Sequence, residues 1–301
     1  MPGKMETEYS RAADPQTLAR IAKLELRARL VVEGVISGMH KSPHRGYSVE
    51  FAQHRDYTQG DEIRHIDWKV YGRSDRYYIK QYEEETNLKA HLLVDTSNSM
   101  NYKSGPLSKL DYAGILASAL GSLLLQQRDA VGLSLFNDGI QVFLPPSGLA
   151  SQMREILRLL ETAKTAPRTN VSGTMHDLAE RIKRRGLVMI FSDFFDDPDE
   201  IIKGLQHFRH RKHEVIVFHL LDRYELTFPF KESCIFEGME EEGQLPAEPN
   251  ALRKTYMEAF NAFVRKLMRG CRDMNMDYVQ MPTDMPVDDA LARYLHQRMN
   301  Y

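Results

Sequence analysis

From about residue 87 onward, short apolar runs alternate with stretches whose apolar positions recur at helical spacing. The first run, Ala90-His91-Leu92-Leu93-Val94-Asp95, is apolar on successive positions, which predicts a strand buried on both faces. A helix is expected over 108–127. Strands follow at 130–136 and 140–144, joined by the turn Asn137-Asp138-Gly139, and then a helix at 151–162. A polar loop running to Gly173 leads to a helix over 175–185, a strand over 187–191, a helix over 199–209 and a strand over 214–221. Gly, Pro and Glu crowd the stretch 224–249 and break the rhythm. It resumes with a long helix at 250–274, a strand at 277–281 and a helix at 287–298. The alternation predicts an α/β fold: a mostly parallel sheet with helices on both faces.

The first part of the chain reads differently. Leu18, Ile21, Leu24, Leu26 and Leu30 recur at roughly helical spacing after Asp14-Pro15, an N-cap followed by proline in the first turn, so a helix is expected over 14–35. Residues 38–86 are irregular, rich in charges and aromatics, with turn signals at Pro43, Gly46 and Gly60-Asp61. The expected organisation is therefore an N-terminal helix (1–37), a small β-rich subdomain (38–86) and an α/β domain (87–301) with an insertion at about 223–275.

Composition narrows the class. Of 301 residues, 42% are hydrophobic and 27% charged, as in an ordinary globular protein. A formal net charge of −2 gives no global pull towards nucleic acid. The densest basic run, Arg209-His210-Arg211-Lys212-His213, lacks the interleaved aromatics of a nucleic-acid face. No apolar stretch is long enough to span a bilayer, and the polar N-terminus does not resemble a secretory signal. Two cysteines, Cys234 and Cys271, give no disulfide framework and fit a reducing cytoplasm.

The candidate chemistry sits where the first strand ends. Asp95, Ser97 and Ser99 place a carboxylate and two hydroxyls at alternate positions, aiming hard oxygen donors into one crevice. Such donors suit Mg²⁺ or Mn²⁺. In open parallel sheets this edge is where ligands bind. Thr174, in the loop expected before its helix, and Asp193, after the fourth strand, reach the same rim. The expected ligands are Ser97, Ser99 and Thr174, with Asp95 and Asp193 acting mostly through water. Taken singly, each piece also reads as a helix cap or an Asx-turn.

This trio, in this order, resembles the metal-ion-dependent adhesion site (MIDAS) of a von Willebrand factor type A domain. The block Arg55-Asp56-Tyr57 … Gly60-Asp61-Glu62-Ile63-Arg64-His65-Ile66-Asp67-Trp68 … Arg73 is similar to the signature of the bacterial family DUF58, a domain of unknown function. The likeness continues through Arg184-Arg185-Gly186, Ser192-Asp193-Phe194, Leu221-Asp222 … Glu225, Thr283-Asp284 and Tyr294-Leu295. The resemblance implies an adaptor or co-chaperone working beside a MoxR-type AAA+ ATPase on a client protein. Two departures stand out. Many relatives carry transmembrane helices ahead of this region, and Ser172-Gly173 stands where many type A domains have two glycines.

The block containing Arg55, Tyr57, Asp61, Arg64, Asp67, Trp68 and Arg73 has two readings: a buried ion-pair network anchored by Trp68, or a docking face for the ATPase. Signatures of nucleotide-binding loops, of nucleophile elbows and of zinc proteases are missing, so no catalytic residues are assigned. The leading expectation is a non-enzymatic, Mg²⁺- or Mn²⁺-dependent interaction protein. The alternatives are a metal-dependent hydrolase or phosphotransferase on the same rim, and a metal-free scaffold.

Overall fold

The computed structural model describes residues 24–28, 51–56, 70–72, 77–82, 88–167, 171–239 and 243–299. The chain divides into two compact units, Ser42–Leu88 and the remainder. In the smaller unit, strands β1 (Phe51–Asp56) and β2 (Tyr78–Tyr82) pair antiparallel. Of the helix expected over 14–35, residues 24–28 are helical and the rest lies outside the described residues.

The larger unit is built on β3 (Lys89–Asp95), α1 (Lys109–Gln126), β4 (Ala130–Phe136), β5 (Ile140–Ser147), α2 (Gln152–Glu161) and α3 (Val171–Arg181). It continues with β6 (Leu187–Ser192), α4 (Pro198–His210), β7 (Glu214–Leu221), α5 (Arg223–Thr227), β8 (Cys234–Glu237) and β9 (Gln244–Ala247). The last elements are α6 (Pro249–Asp273), β10 (Asp277–Pro282) and α7 (Val287–Met299). Six strands form one sheet in the order β10-β7-β6-β3-β4-β5, parallel except for β5 against β4. This is the α/β class expected, a doubly wound sheet whose winding reverses between β3 and β6.

Burial explains why the strands read as continuous apolar runs. Every residue of β6 is buried, as are all of β3 after Lys89 and all of β7 after Glu214. Leu93 packs with Met175, Leu178, Ile201, Leu205, Phe208 and Leu267 on the α3, α4 and α6 side. Its neighbour Leu92 points the other way, to within 3.3 Å of where a side chain on Gly121 of α1 would stand. Alternation along one strand thus supplies both layers. The edge strand β5 is half-exposed and carries Pro145 and Pro146, tolerated because an edge needs no second set of ladder bonds.

Two local expectations are corrected. α3 begins at Val171, so Thr174 sits inside the helix's first turn, not in a loop ahead of it, and the helix ends at Arg181. Met175, Leu178, Ala179 and Ile182 all bury against the sheet, and that one-sided stripe sets where the helix lies. The irregular stretch 224–249 contains α5 and the small hairpin β8-β9, paired Cys234 to Ala247 through Glu237 to Gln244.

His91, in β3, is 5% exposed; burial, reinforced by His213 and Lys89, pushes its imidazole down to about 4. Its folded pKa lies below the unfolded value of about 6.5. The stability contributed by neutral His91 is therefore complete above that pH and drains away as the pH falls towards 4. Urea unfolding at pH 7 and pH 5 is expected to show about 2 kcal/mol of loss from this residue. In His91→Gln the pH dependence should flatten by that amount.

Candidate functional site

The site is assembled from three adjacent strand ends. β3 delivers Asp95, and the chain then turns through Thr96 and Ser97 into a single 3-10 turn, Asn98–Asn101. Asp95 starts this turn itself: its Oδ1 accepts the Ser97 backbone N–H at 2.9 Å. Ser97 Oγ and Ser99 Oγ lie 3.0 Å apart. Thr96 turns away and binds the Phe136 carbonyl at the end of β4, through its backbone N–H at 2.7 Å and its hydroxyl at 3.0 Å. The alternation sends two hydroxyls into the crevice and one out of it.

β6, next to β3, ends in Ser192-Asp193-Phe194. The Ser192 hydroxyl donates to Asp95 Oδ2 at 2.5 Å and accepts the Phe194 N–H at 2.9 Å. Phe194 adopts the left-handed region (φ 50°), which costs a non-glycine residue roughly 1–3 kcal/mol. Complete burial of its ring, edge-on to His219 at 5.7 Å, offsets that cost. Thr174 donates a long 3.5 Å hydrogen bond to the Asn137 carbonyl just beyond β4. Gly204 of α4 permits the close approach of α3 that sets this height, since a Cβ there would stand 3.0 Å from the Met175 Cβ. All five predicted oxygen donors are buried, Asp95 and Ser97 completely and Ser99, at 8%, the most exposed.

Sequence reasoning missed the cation at this rim. Lys109 is 1% exposed, and its ammonium contacts Asp193 Oδ2 at 2.7 Å and Glu225 Oε1 at 2.6 Å, with the Tyr102 ring 5.7 Å away. Burial opposes its charge, but the charges of Asp193 and Glu225 and their hydrogen bonds prevail, so the proton is held more tightly than in water. For Glu225, burial outweighs Lys109 and raises the carboxyl pKa. Lys109 is the first residue of α1, directly after the Ser108 cap. A cation there opposes the helix dipole, and that misfit was the one available signal. The sequence also gave no role to His219. Burial pushes its imidazole down to about 4 against the pull of Asp193, whose carbonyl it contacts at 2.9 Å, with the Tyr278 hydroxyl on its other nitrogen.

The segment resembling Leu221-Asp222 … Glu225 braces this cluster. Asp222 accepts the Ser104 N–H at 2.8 Å and hydroxyl at 2.5 Å, tying the loop after Asn101 to α5. Glu225 accepts the Asp222 N–H at 2.7 Å in a capping box, so α5 holds the second carboxylate of the Lys109 bridge. His176 is exposed, and its Nδ1 lies 3.3 Å from that of His207 on α4. In the basic run, Arg209 donates to the Met274 carbonyl and Arg211 pairs with Glu180, both structural ties. Of the block around Trp68, Arg55 lies in β1, while Tyr57, Asp61, Arg64, Asp67, Trp68 and Arg73 lie outside the described residues.

Among the described residues no three His, Cys, Asp or Glu side chains gather as a metal-binding group, so a cation here must rely on hydroxyls as well. The donors fit that task. Two cis ligands of a six-coordinate Mg²⁺ stand roughly 3 Å apart for bonds of about 2.1 Å, a separation that the Ser97 and Ser99 hydroxyls, hydrogen-bonded to each other at 3.0 Å, already have. Asp193 and Glu225 share the Lys109 ammonium, and the buried Asp95 carboxylate is held by the Ser97 N–H and the Ser192 hydroxyl. Replacing Lys109 by Met leaves the buried Asp193 and the half-buried Glu225 without their shared cation and is expected to cost about 3–5 kcal/mol in urea unfolding. Adding Glu225→Gln should recover part of that loss.

A family model described as a protein of unknown function, DUF58, matches residues 53–264. Uncharacterized proteins of Mycobacterium bovis and Mycobacterium tuberculosis are each 27% identical over 270 residues, covering 86% of this chain and 83% of theirs. Among solved structures, BatB from Bacteroides thetaiotaomicron aligns at 14% identity with a TM-score of 0.46, over 71% of this chain and 100% of that one. The VWA domain of SpRpn10 aligns at 11% identity with a TM-score of 0.39, over 68% and 94%. With the family model spanning more than two thirds of its length, the chain belongs to the DUF58 family.

Proposed function

We propose that this protein is a non-enzymatic interaction module that docks a partner at the crevice formed by Asp95, Ser97, Ser99, Thr174 and Asp193. A divalent cation, Mg²⁺ or Mn²⁺, would be held there by the hydroxyls, with the two aspartates compensating its charge. The observation that carries the reading is the convergence of the Ser97 and Ser99 hydroxyls, 3.0 Å apart, with the buried carboxylates of Asp95 and Asp193 at neighbouring strand ends. When bound, such an ion supplies an electron-poor site for a partner's carboxylate. The side chains around it act as a receptor: Asp95 is fixed by Ser97 and Ser192, and Asp193 by Lys109 and the Phe195 N–H at 3.2 Å. Groups pinned in this way suit binding better than proton transfer, which needs a base free to move its proton.

The family resemblance supports a MoxR-type AAA+ ATPase as the working partner, with assembly or activation of a client as the outcome. A cytoplasmic setting agrees with the free thiols of Cys234 and Cys271. Among the described residues no helix is long and apolar enough to cross a membrane.

One observation favours a second reading, the metal-free scaffold. The Lys109 ammonium already sits on Asp193, where it could serve as the permanent countercharge. Isothermal titration with Mg²⁺ and Mn²⁺ separates the two. Under the metal reading the ions release or absorb measurable heat and raise the unfolding temperature, and Asp95→Ala or Ser99→Ala removes both effects while the circular dichroism stays native. Silence with both ions at millimolar concentration would favour the scaffold.

A further inference from the structure

Helix α6 carries Tyr256, Phe260 and Phe263 at helical spacing, on one face. With Phe195 from the loop after β6, these rings wall a cavity of about 510 Å³. Tyr256 and Phe260 stack with centroids 5.9 Å apart, and the Tyr256 hydroxyl donates to the Glu225 carbonyl at 2.9 Å, which fixes the aromatic wall. Asp193, Asp196 and Glu225 line the same space, and no lysine or arginine is among its described lining residues. Lys109, which contacts Asp193 and Glu225, lies instead on the wall of the adjoining cavity, with Phe228, Phe230 and Phe236. His219 also lines the first cavity and adds no positive charge at pH 7, since burial pushes its imidazole down to about 4. Ring faces and carboxylates both attract a cation, and a concave space of this size suits a small organic molecule.

We infer that this cavity binds a small organic cation, a quaternary ammonium group carrying an apolar body. The rings and the carboxylates select the charge, and the hydrogen bonds select the quaternary form. Asp193 accepts from the Lys109 ammonium at 2.7 Å and from the Phe195 N–H at 3.2 Å. Glu225 accepts from Lys109 at 2.6 Å and from the Asp222 N–H at 2.7 Å, and Asp196 from the Asp197 N–H at 2.6 Å. Hydrogen bonding does not discharge a carboxylate, so the field of these groups persists while acceptor positions on all three are engaged. A primary ammonium entering here must compete for acceptors to replace the water it gives up. A quaternary ammonium has no N–H to satisfy, and its methyl groups rest on ring faces. The body of the ligand meets Leu221 and Ala259, and it covers Phe195, a ring left 68% exposed. None of this requires a divalent ion in the neighbouring crevice.

The test is isothermal titration of the full chain in EDTA, comparing benzyltrimethylammonium with benzylammonium, and choline with its uncharged tert-butyl analogue. Each quaternary ammonium is expected to bind at least about fivefold more tightly than its counterpart. Phe260→Leu removes a ring face and keeps an apolar side chain. Asp196→Asn removes a charge at an exposed position and keeps an oxygen for the Asp197 N–H. Each variant should weaken benzyltrimethylammonium binding about threefold or more while the circular dichroism stays native. Equal binding of choline and its uncharged analogue overturns the cation, and tighter binding of benzylammonium overturns the quaternary form. Wild-type affinity in both variants overturns the cavity, as does the absence of heat from every probe at millimolar concentration. A trimethyllysine peptide that binds at least about tenfold more tightly than every small probe assigns the cavity to a protein partner and overturns the small molecule.

Discussion

Two carboxylates buried at the ends of neighbouring parallel strands are the constraint around which this edge of the molecule is arranged. Asp95 and Asp193 cannot be removed from water uncompensated, since burying a charge without partners costs far more than a domain's net stability. Each feature around them supplies compensation. The chain after Asp95 turns so that its own N–H returns to the carboxylate, and Ser192 reaches across from the next strand. Lys109 is drawn to the start of α1 against the helix dipole to meet Asp193. The short helix α5 brings Glu225 to hold the ammonium from its other side. The caps and loops at this edge form one electrostatic solution.

That solution also fixes the geometry of the crevice. Hydrogen bonds and ion pairs position the aspartates, and Ser97 and Ser99 stand at a spacing that suits a hard cation. The stretch between β7 and α6 then gives the same edge an apolar neighbour, a cavity lined by Phe228, Phe230 and Phe236.

Much of the fold was legible because the strands are buried on both faces and announce themselves as apolar runs. β4 and β7 begin and end where the pattern places them. The start of α3 was misjudged because Ser172, Gly173 and Thr174 read locally as loop residues, and only the stripe from Met175 to Ile182 against the sheet shows why the helix reaches further back. At the site, the order of Asp95, Ser97, Ser99 and Asp193 was readable because each follows a strand end, whereas Thr174 lies in the first turn of α3. Lys109 and Glu225 were not, since their meeting depends on α1 and α5 converging across 116 residues of sequence, a distance no local spacing encodes. The cavity was hidden for a similar reason: Phe228, Phe230 and Phe236 read as a broken, irregular stretch until the β8-β9 hairpin folds them together.

The prolines of β5 have a consequence for how anything can attach to this sheet. Pro145 and Pro146 remove two successive amide donors from the outer strand. The Gln152 side chain occupies the Pro145 carbonyl at 2.9 Å and the Val131 carbonyl at 2.7 Å. A visiting peptide therefore finds no continuous ladder to extend there, and two molecules cannot fuse their sheets through that border. Strand-by-strand augmentation is closed at that border.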